Sequence, residues 1–183
     1  MKALIVIDYT YDFVEGKLPV GDPAIAIEER ITALTEEFLE QGGFVVMAVD
    51  FHRLNEPFHP ETKLFPPHNI EGTSGRELYG RLNALYREKE GQILWLDKTR
   101  YSAFCGTDLE LQLRARGIGE VHLAGVCTDI CVLHTAVDAY NKAFELIIHE
   151  DAVASFNPDG HTFALNHFRT SLGAQVVRGS EPV

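Results

Sequence analysis

The chain has 183 residues, 45% of them hydrophobic and 23% charged, enough to bury a core without disulfides. Its formal charge of −11 argues against nucleic acid and against an anionic membrane face as partners, because both are recognised through basic patches. No apolar run approaches the roughly 20 residues of a membrane span. Three cysteines, an odd and low number, speak for a reducing cytoplasm rather than a disulfide scaffold.

The elements follow in chain order. Residues 3–8 are a short Val/Ile-rich run closed by Asp8, too short for a signal-peptide core and predicted as a strand. Over 23–41, Ala24, Ile27, Ile31, Leu34 and Phe38 recur at spacings of three and four; Pro23 suits a first helical turn and Gly42 with Gly43 supplies the stop. Residues 44–50 form a second strand. Residues 51–75 read FHRLNEPFHPETKLFPPHNIEGTSG, with four Pro, three His and little periodicity. A loop of that length is usually functional or disordered, and its aromatic content argues against disorder. Helices are then expected at 76–87, 108–116, 128–143 and 159–172, and strands at 93–97, 121–125, 145–149 and 174–177. Residues 179–183 read as a tail. No repeat or linker interrupts the pattern, so one domain spans 1–183, with an insertion at 51–75.

Most of these strands lack polar alternation, as strands buried on both faces do. The alternation with helices predicts an α/β fold: a doubly wound, mostly parallel six-stranded sheet with helices on both faces, a Rossmann-like three-layer arrangement. Ligands in such sheets sit beyond the carboxyl ends of the strands, near the switch in strand order. The polar residues expected on that rim are Asp8, Asp50 with His52, Asp97 with Lys98, and Thr128, Asp129 and Cys131.

Four groups there can carry chemistry. Thr128 is a suitable N-cap, which puts Cys131 in a first helical turn, where the dipole favours thiolate and free N–H groups can bind an oxyanion. A buried apolar role is the ordinary alternative for such a cysteine. Asp8 and Lys98 can form a proton-handling carboxylate tuned by a cation, or a plain salt bridge. Asp50 and His52 make a D-x-H pair whose side chains share a strand face, and the loop adds His59, Glu61 and His68. Mixed carboxylate and imidazole donors suit Zn, Fe or Mn better than Ca or Mg; a polar loop with surface histidines is the alternative. Phe13, Phe65 and Tyr101 flank these motifs and can sandwich a flat ring, or pack as core. Cys105 reads as structural, the four-residue spacing of Cys127 and Cys131 excludes a C-x-x-C pair, and His122, His134, His149, His161 and His167 read as packing or surface residues.

The segments VIDYTYDF, DKTRYSAF and GVCTDICVLHTAVDAY, with the D-x-H, resemble the isochorismatase-like cysteine hydrolases, and KLFPPHNIEGTSGREL narrows the likeness to the bacterial nicotinamidases, also called pyrazinamidases. The resemblance runs over nearly the whole chain. It implies Asp8 as catalytic base and acid, Lys98 as catalytic lysine and Cys131 as nucleophile. It implies a cis peptide before the Thr-Asp pair, at Val126–Cys127, with the N–H groups of Cys127 and Cys131 as oxyanion donors. Asp50, His52 and His68 match metal ligands, with Glu61 a fourth found in some members. The implied cofactor is one divalent ion, zinc first and iron or manganese as alternatives. The implied reaction is hydrolysis of nicotinamide to nicotinate and ammonia through a Cys131 thioester, extending to pyrazinamide, in cytoplasmic NAD salvage. A homo-oligomer is left open, as are three rivals: another amidohydrolase of the superfamily, a zinc hydrolase using metal-bound water, and a non-catalytic metal-stabilised binding domain.

Overall fold

A computed structural model describes residues 1–179, so the tail expected at 179–183 lies, beyond Gly179, outside the described residues. The strands are β1 (Lys2–Ile7), β2 (Phe44–Asp50), β3 (Ile93–Lys98), β4 (Glu120–Val126), β5 (Glu145–Ala154) and β6 (Gln175–Val177). They form one six-stranded sheet in the order β3-β2-β1-β4-β5-β6, and all five pairings are parallel. The order reverses between β1 and β4, so Asp8 and the turn after β4 flank the switch point.

The helices are α1 (Tyr11–Val14), α2 (Asp22–Ile25), α3 (Glu28–Glu40), α4 (Gly80–Lys89), α5 (Leu109–Ala115), α6 (Leu133–Asn141) and α7 (Pro158–Ser171). Successive strand residues point to opposite faces, and both faces are apolar. Leu4, Val6, Val45 and Met47 pack with Ile31, Leu34, Phe38 and Leu82 from α3 and α4. Ile5, Ile7, Val46 and Ile148 pack with Leu113, Ala136 and Phe168 from α5, α6 and α7. The expected three-layer α/β architecture is therefore present. Gly125 is needed where β4 bulges against β5: its φ is +111°, and a Cβ there would collide with the Ile7 carbonyl of β1.

Several boundaries differ from the pattern. The helix expected over 23–41 is two, α2 and α3, parted at Ala26 and Ile27, while the helix expected from 76 begins at Gly80 after a 3₁₀ turn at Ser74–Arg76. The strand expected over 145–149 runs on to Ala154, its polar residues Glu150 and Asp151 having hidden the continuation. The helix expected from Thr128 is instead a π-helical turn, Thr128–Val132, leading into α6. Among the described residues, no helix is long and apolar enough to cross a membrane.

Candidate active site

The rim residues converge because parallel strands end in register. Asp8 follows β1 with φ +54°, in the left-handed region that Asp tolerates. Its N–H still donates to Ala48 O at 2.9 Å, and its carboxylate accepts the N–H of Asp50 at 2.8 Å. Lys98, the last residue of β3, is fully buried between Asp8 (Nζ to Oδ2, 2.7 Å) and the carboxylate of Asp50, and its Nζ lies 3.7 Å from Cys131 Sγ. A ligand atom from each of Asp8, Asp50 and Cys131 falls within 4.8 Å of the others, and the Lys98 ammonium supplies the cation among them.

Burial decides the direction for Asp8 and Cys131, whereas the mutual charges of Asp50 and Lys98 override it for those two. Burial pushes Asp8 up to about 6, helped by the charge of Asp50 and opposed by Lys98. It also raises the Cys131 thiol well above its ordinary range, with Lys98 working the other way. Cys131 is thus a thiol beside a carboxylate of raised basicity, not the dipole-activated thiolate expected from a helix N-terminus. The first turn is π-helical, and Thr128 makes no cap; its hydroxyl instead hydrogen-bonds His161 Nδ1 at 2.8 Å. The Val126–Cys127 peptide is cis, as the resemblance implies.

Asp50, His52, Glu61 and His68 form a second cluster, all four buried, with one ligand atom from each within 4.8 Å of the others. His52 is placed by bridging to Ile70 beyond the end of β2, and Glu61 lies in a 3₁₀ turn, Pro60–Lys63. Asp50 Oδ2, His52 Nε2 and His68 Nε2 are buried without a hydrogen-bond partner. Their separations, 3.7 Å from Asp50 to His52 and 3.9 Å from Asp50 to His68, exceed a hydrogen bond. Glu61 Oε2 is 3.7 Å from His68 Nε2, and burial with the Asp50 charge pushes Glu61 up to about 7. Convergent buried donors of mixed O/N type, with Asp50 Oδ2, His52 Nε2 and His68 Nε2 free of hydrogen-bond partners, fit a divalent metal ion. His59, offered by the same loop, uses both ring nitrogens elsewhere: Nε2 on Thr99 O at 2.9 Å, and Nδ1 accepting the Glu61 N–H at 3.3 Å.

Phe13, Phe65 and Tyr101 line one cavity together with Cys131, Cys127 and Glu61. Its empty volume, the open side included, is about 340 Å³. Leu18, Ile130 and Phe156 also line it and were not singled out from the sequence. Phe156 follows the true end of β5, a rim position that a strand ending at 149 conceals. Asp97 is not part of the site: it alternates outward from Lys98, accepts from Arg76 Nη2 at 2.5 Å and from Trp95 Nε1 at 2.8 Å, and is exposed. Cys105 is exposed rather than packed, whereas His122 and His149 are buried as expected of packing residues.

With this fold and these two clusters, the chain belongs to the isochorismatase family, whose domain model matches residues 2–181. Among solved structures it is similar to nicotinamidase/pyrazinamidase PncA from Bacillus subtilis: 62% identity, TM-score 0.95, covering 96% of this chain and 98% of that one. It is similar to pyrazinamidase/nicotinamidase from Streptococcus mutans UA159, at 51% identity and TM-score 0.94, covering 97% and 100%. A third likeness, at 31% identity and TM-score 0.86 over 97% and 99%, is pyrazinamidase of Pyrococcus horikoshii, described in complex with zinc.

Proposed function

We propose that this chain is a nicotinamidase, an amidohydrolase that converts nicotinamide to nicotinate and ammonia for NAD salvage and also accepts pyrazinamide. One observation carries the reading: a nucleophile cluster and a metal-donor cluster meet on a single aromatic-lined cavity, with Cys131 and Glu61 both in its wall. In this reading the chain is one hydrolase domain with 51–75 as a metal-binding insertion, and it works in the cytoplasm on a small-molecule substrate.

The residues take these roles. Phe13, Phe65 and Tyr101 hold the pyridine ring. Asp8 accepts the Cys131 proton, and Lys98 steadies the carboxylate through that transfer. Cys131 Sγ attacks the carboxamide carbon, and the N–H groups of Cys127 and Cys131 receive the oxyanion. Asp8 returns the proton to the departing amine, so the C–N bond breaks, ammonia leaves, and a thioester remains on Cys131. Asp8 then takes a proton from water, the hydroxide displaces sulfur, and nicotinate leaves with Cys131 again a thiol. A divalent ion, zinc first with iron or manganese as alternatives, would be held by Asp50, His52, Glu61 and His68 and would supply a Lewis-acidic anchor for the substrate ring.

The test is to follow nicotinate and ammonia from nicotinamide with wild type, Cys131→Ala and a chelated sample side by side, with intact-mass detection of the acyl adduct. Turnover lost in both controls, with an adduct in wild type, is the expected result. Turnover retained by Cys131→Ala would transfer the reaction to metal-bound water, and no turnover after zinc, iron or manganese is restored would remove nicotinamide as substrate.

A further inference from the structure

The connection from β5 to α7 contributes a wall to the cavity. Phe156 lines it beside Tyr101 and Cys131, yet it is 49% exposed where Phe13 is 6% exposed. Its ring therefore stands at the mouth, partly toward the cavity and partly toward solvent. The backbone on either side is tied to one carboxylate. The Ser155 hydroxyl donates to Asp129 Oδ1 at 2.6 Å, and Asn157 Nδ2 donates to Asp129 Oδ2 at 3.3 Å. The Asn157 N–H donates to Ser155 Oγ at 3.2 Å, and Asn157 Oδ1 caps α7 through the Gly160 N–H at 3.1 Å. Gly160 leaves room for this: a Cβ there would collide with the Asp129 carboxylate. Ser155 and the Phe156 N–H also act on the Cys127 thiol, opposing the burial that pushes it up to about 12.

Asp129 belongs to the turn Thr128–Val132 that carries Cys131. A half-exposed ring on a loose loop would lose ordering entropy on every binding event. Here the ring's main chain is fixed to the nucleophile's own turn, so the distance from ring wall to sulfur is set before a substrate arrives.

We propose that Phe156 is a specificity-determining residue, closing the open side of the cavity on a planar six-membered heteroaromatic amide, and that Asp129 is the positioning residue that holds it in register with Cys131. The substrate class rests on the nicotinamidase reading; the wall itself rests on the geometry. A ring substituted toward the mouth meets Phe156, while an unsubstituted ring gains a face to stack on.

The experiment measures kcat and KM for nicotinamide and 5-methylnicotinamide with wild type, Phe156→Ala, Asp129→Ala and Asp129→Asn. Calorimetry of nicotinamide with Cys131→Ala and with Cys131→Ala/Phe156→Ala supplies a readout independent of turnover. Phe156→Ala is expected to raise the nicotinamide KM about tenfold with kcat within about threefold, and to narrow the preference over the methylated ring by about tenfold. Asp129→Ala moves the same ratio in the same direction, and Asp129→Asn, which keeps an acceptor for Ser155, restores it. If Asp129→Ala does not fold, Ser155→Ala carries the same expectation at smaller size. An unchanged ratio in Phe156→Ala overturns the specificity role, and an Asp129→Ala that lowers both substrates equally overturns the positioning role. Should wild type leave nicotinamide intact, the reaction falls but calorimetry still decides: binding weakened by loss of Phe156 upholds the wall, and equal or absent binding overturns it.

Discussion

Two polar clusters are buried in this sheet to similar depth and are built on opposite rules. At the carboxyl rim, Asp8, Asp50 and Lys98 are 0–1% exposed and hold one another as ions, while Asp50, His52 and His68 aim unpartnered atoms at a common point. Within the sheet, His122 of β4 and His149 of β5 are also 0–1% exposed, but they are bonded to each other, Nδ1 to Nε2 at 2.9 Å. His122 Nε2 meets Glu120 at 3.0 Å, and its ring packs on Phe38 at 4.8 Å between centroids. Burial drives both imidazoles toward the neutral form, His149 down to about 3. Burial alone therefore does not mark a site. Charge retained under burial, and donors that converge without bonding, do.

Breaking the rim cluster should have the largest effects. On the proposed mechanism, in which Cys131 is the nucleophile, Cys131→Ala should lower nicotinamide turnover by about 10⁴-fold or more, leaving only binding and oxyanion contacts; stopped-time assays of nicotinate check this, and unchanged thermal unfolding separates it from misfolding. Lys98→Met comes next. It leaves the Asp8 and Asp50 carboxylates facing each other without their cation, a loss of about 3–5 kcal/mol for an uncompensated buried charge, read from the urea midpoint. His68→Ala removes one convergent donor and nothing from the Asp8–Lys98–Cys131 group. If the proposed metal is held there, the variant should release it at about 100-fold lower chelator concentration, measured as metal content after dialysis, while the helical and sheet signal is kept.

These effects fall on residues that the sequence brings to notice for a simple reason. Apolar runs buried on both faces end abruptly, and a polar residue at such an end must sit on the rim: Asp8, Asp50 and Lys98 do. What the pattern hides depends on geometry that periodicity does not encode. Asp97 has the same strand-end position as Lys98, and only the pleat sends one outward and the other inward. Thr128 has cap chemistry, but the turn is π-helical and its hydroxyl goes to His161. His59 and Glu61 lie two apart on one loop with equal claim as donors, and it is the Thr99 carbonyl, remote in sequence, that takes the histidine. Phe156 was out of view because Glu150 and Asp151 interrupt an apolar run that the backbone nonetheless continues as strand.

The smallest effect sharpens the other half of the comparison. His149 stays neutral when folded because burial opposes its charge, as do His122 and the Arg30 guanidinium, while Asp151 alone favours it. Around its partner, Glu120 favours charge on His122 and Lys2 opposes it. Between about pH 6.5 and pH 3 the unfolded chain therefore binds a proton at His149 that the folded chain does not, so stability falls as pH falls through that window. At pH 5 the loss from His149 should be about 2 kcal/mol relative to pH 7.5. The carboxyls of Asp8 and Glu61, raised at the rim, push the total in the opposite direction. The readout is accordingly a difference: urea midpoints at pH 7.5 and 5 for wild type against His149→Gln, which can still hydrogen-bond His122 but does not titrate. The wild type should lose more stability on acidification than the variant does. Equal losses would mean that the pair is charged or solvated in the folded protein, and the contrast between a mutually bonded neutral pair and an ionic rim would fail at its quieter end.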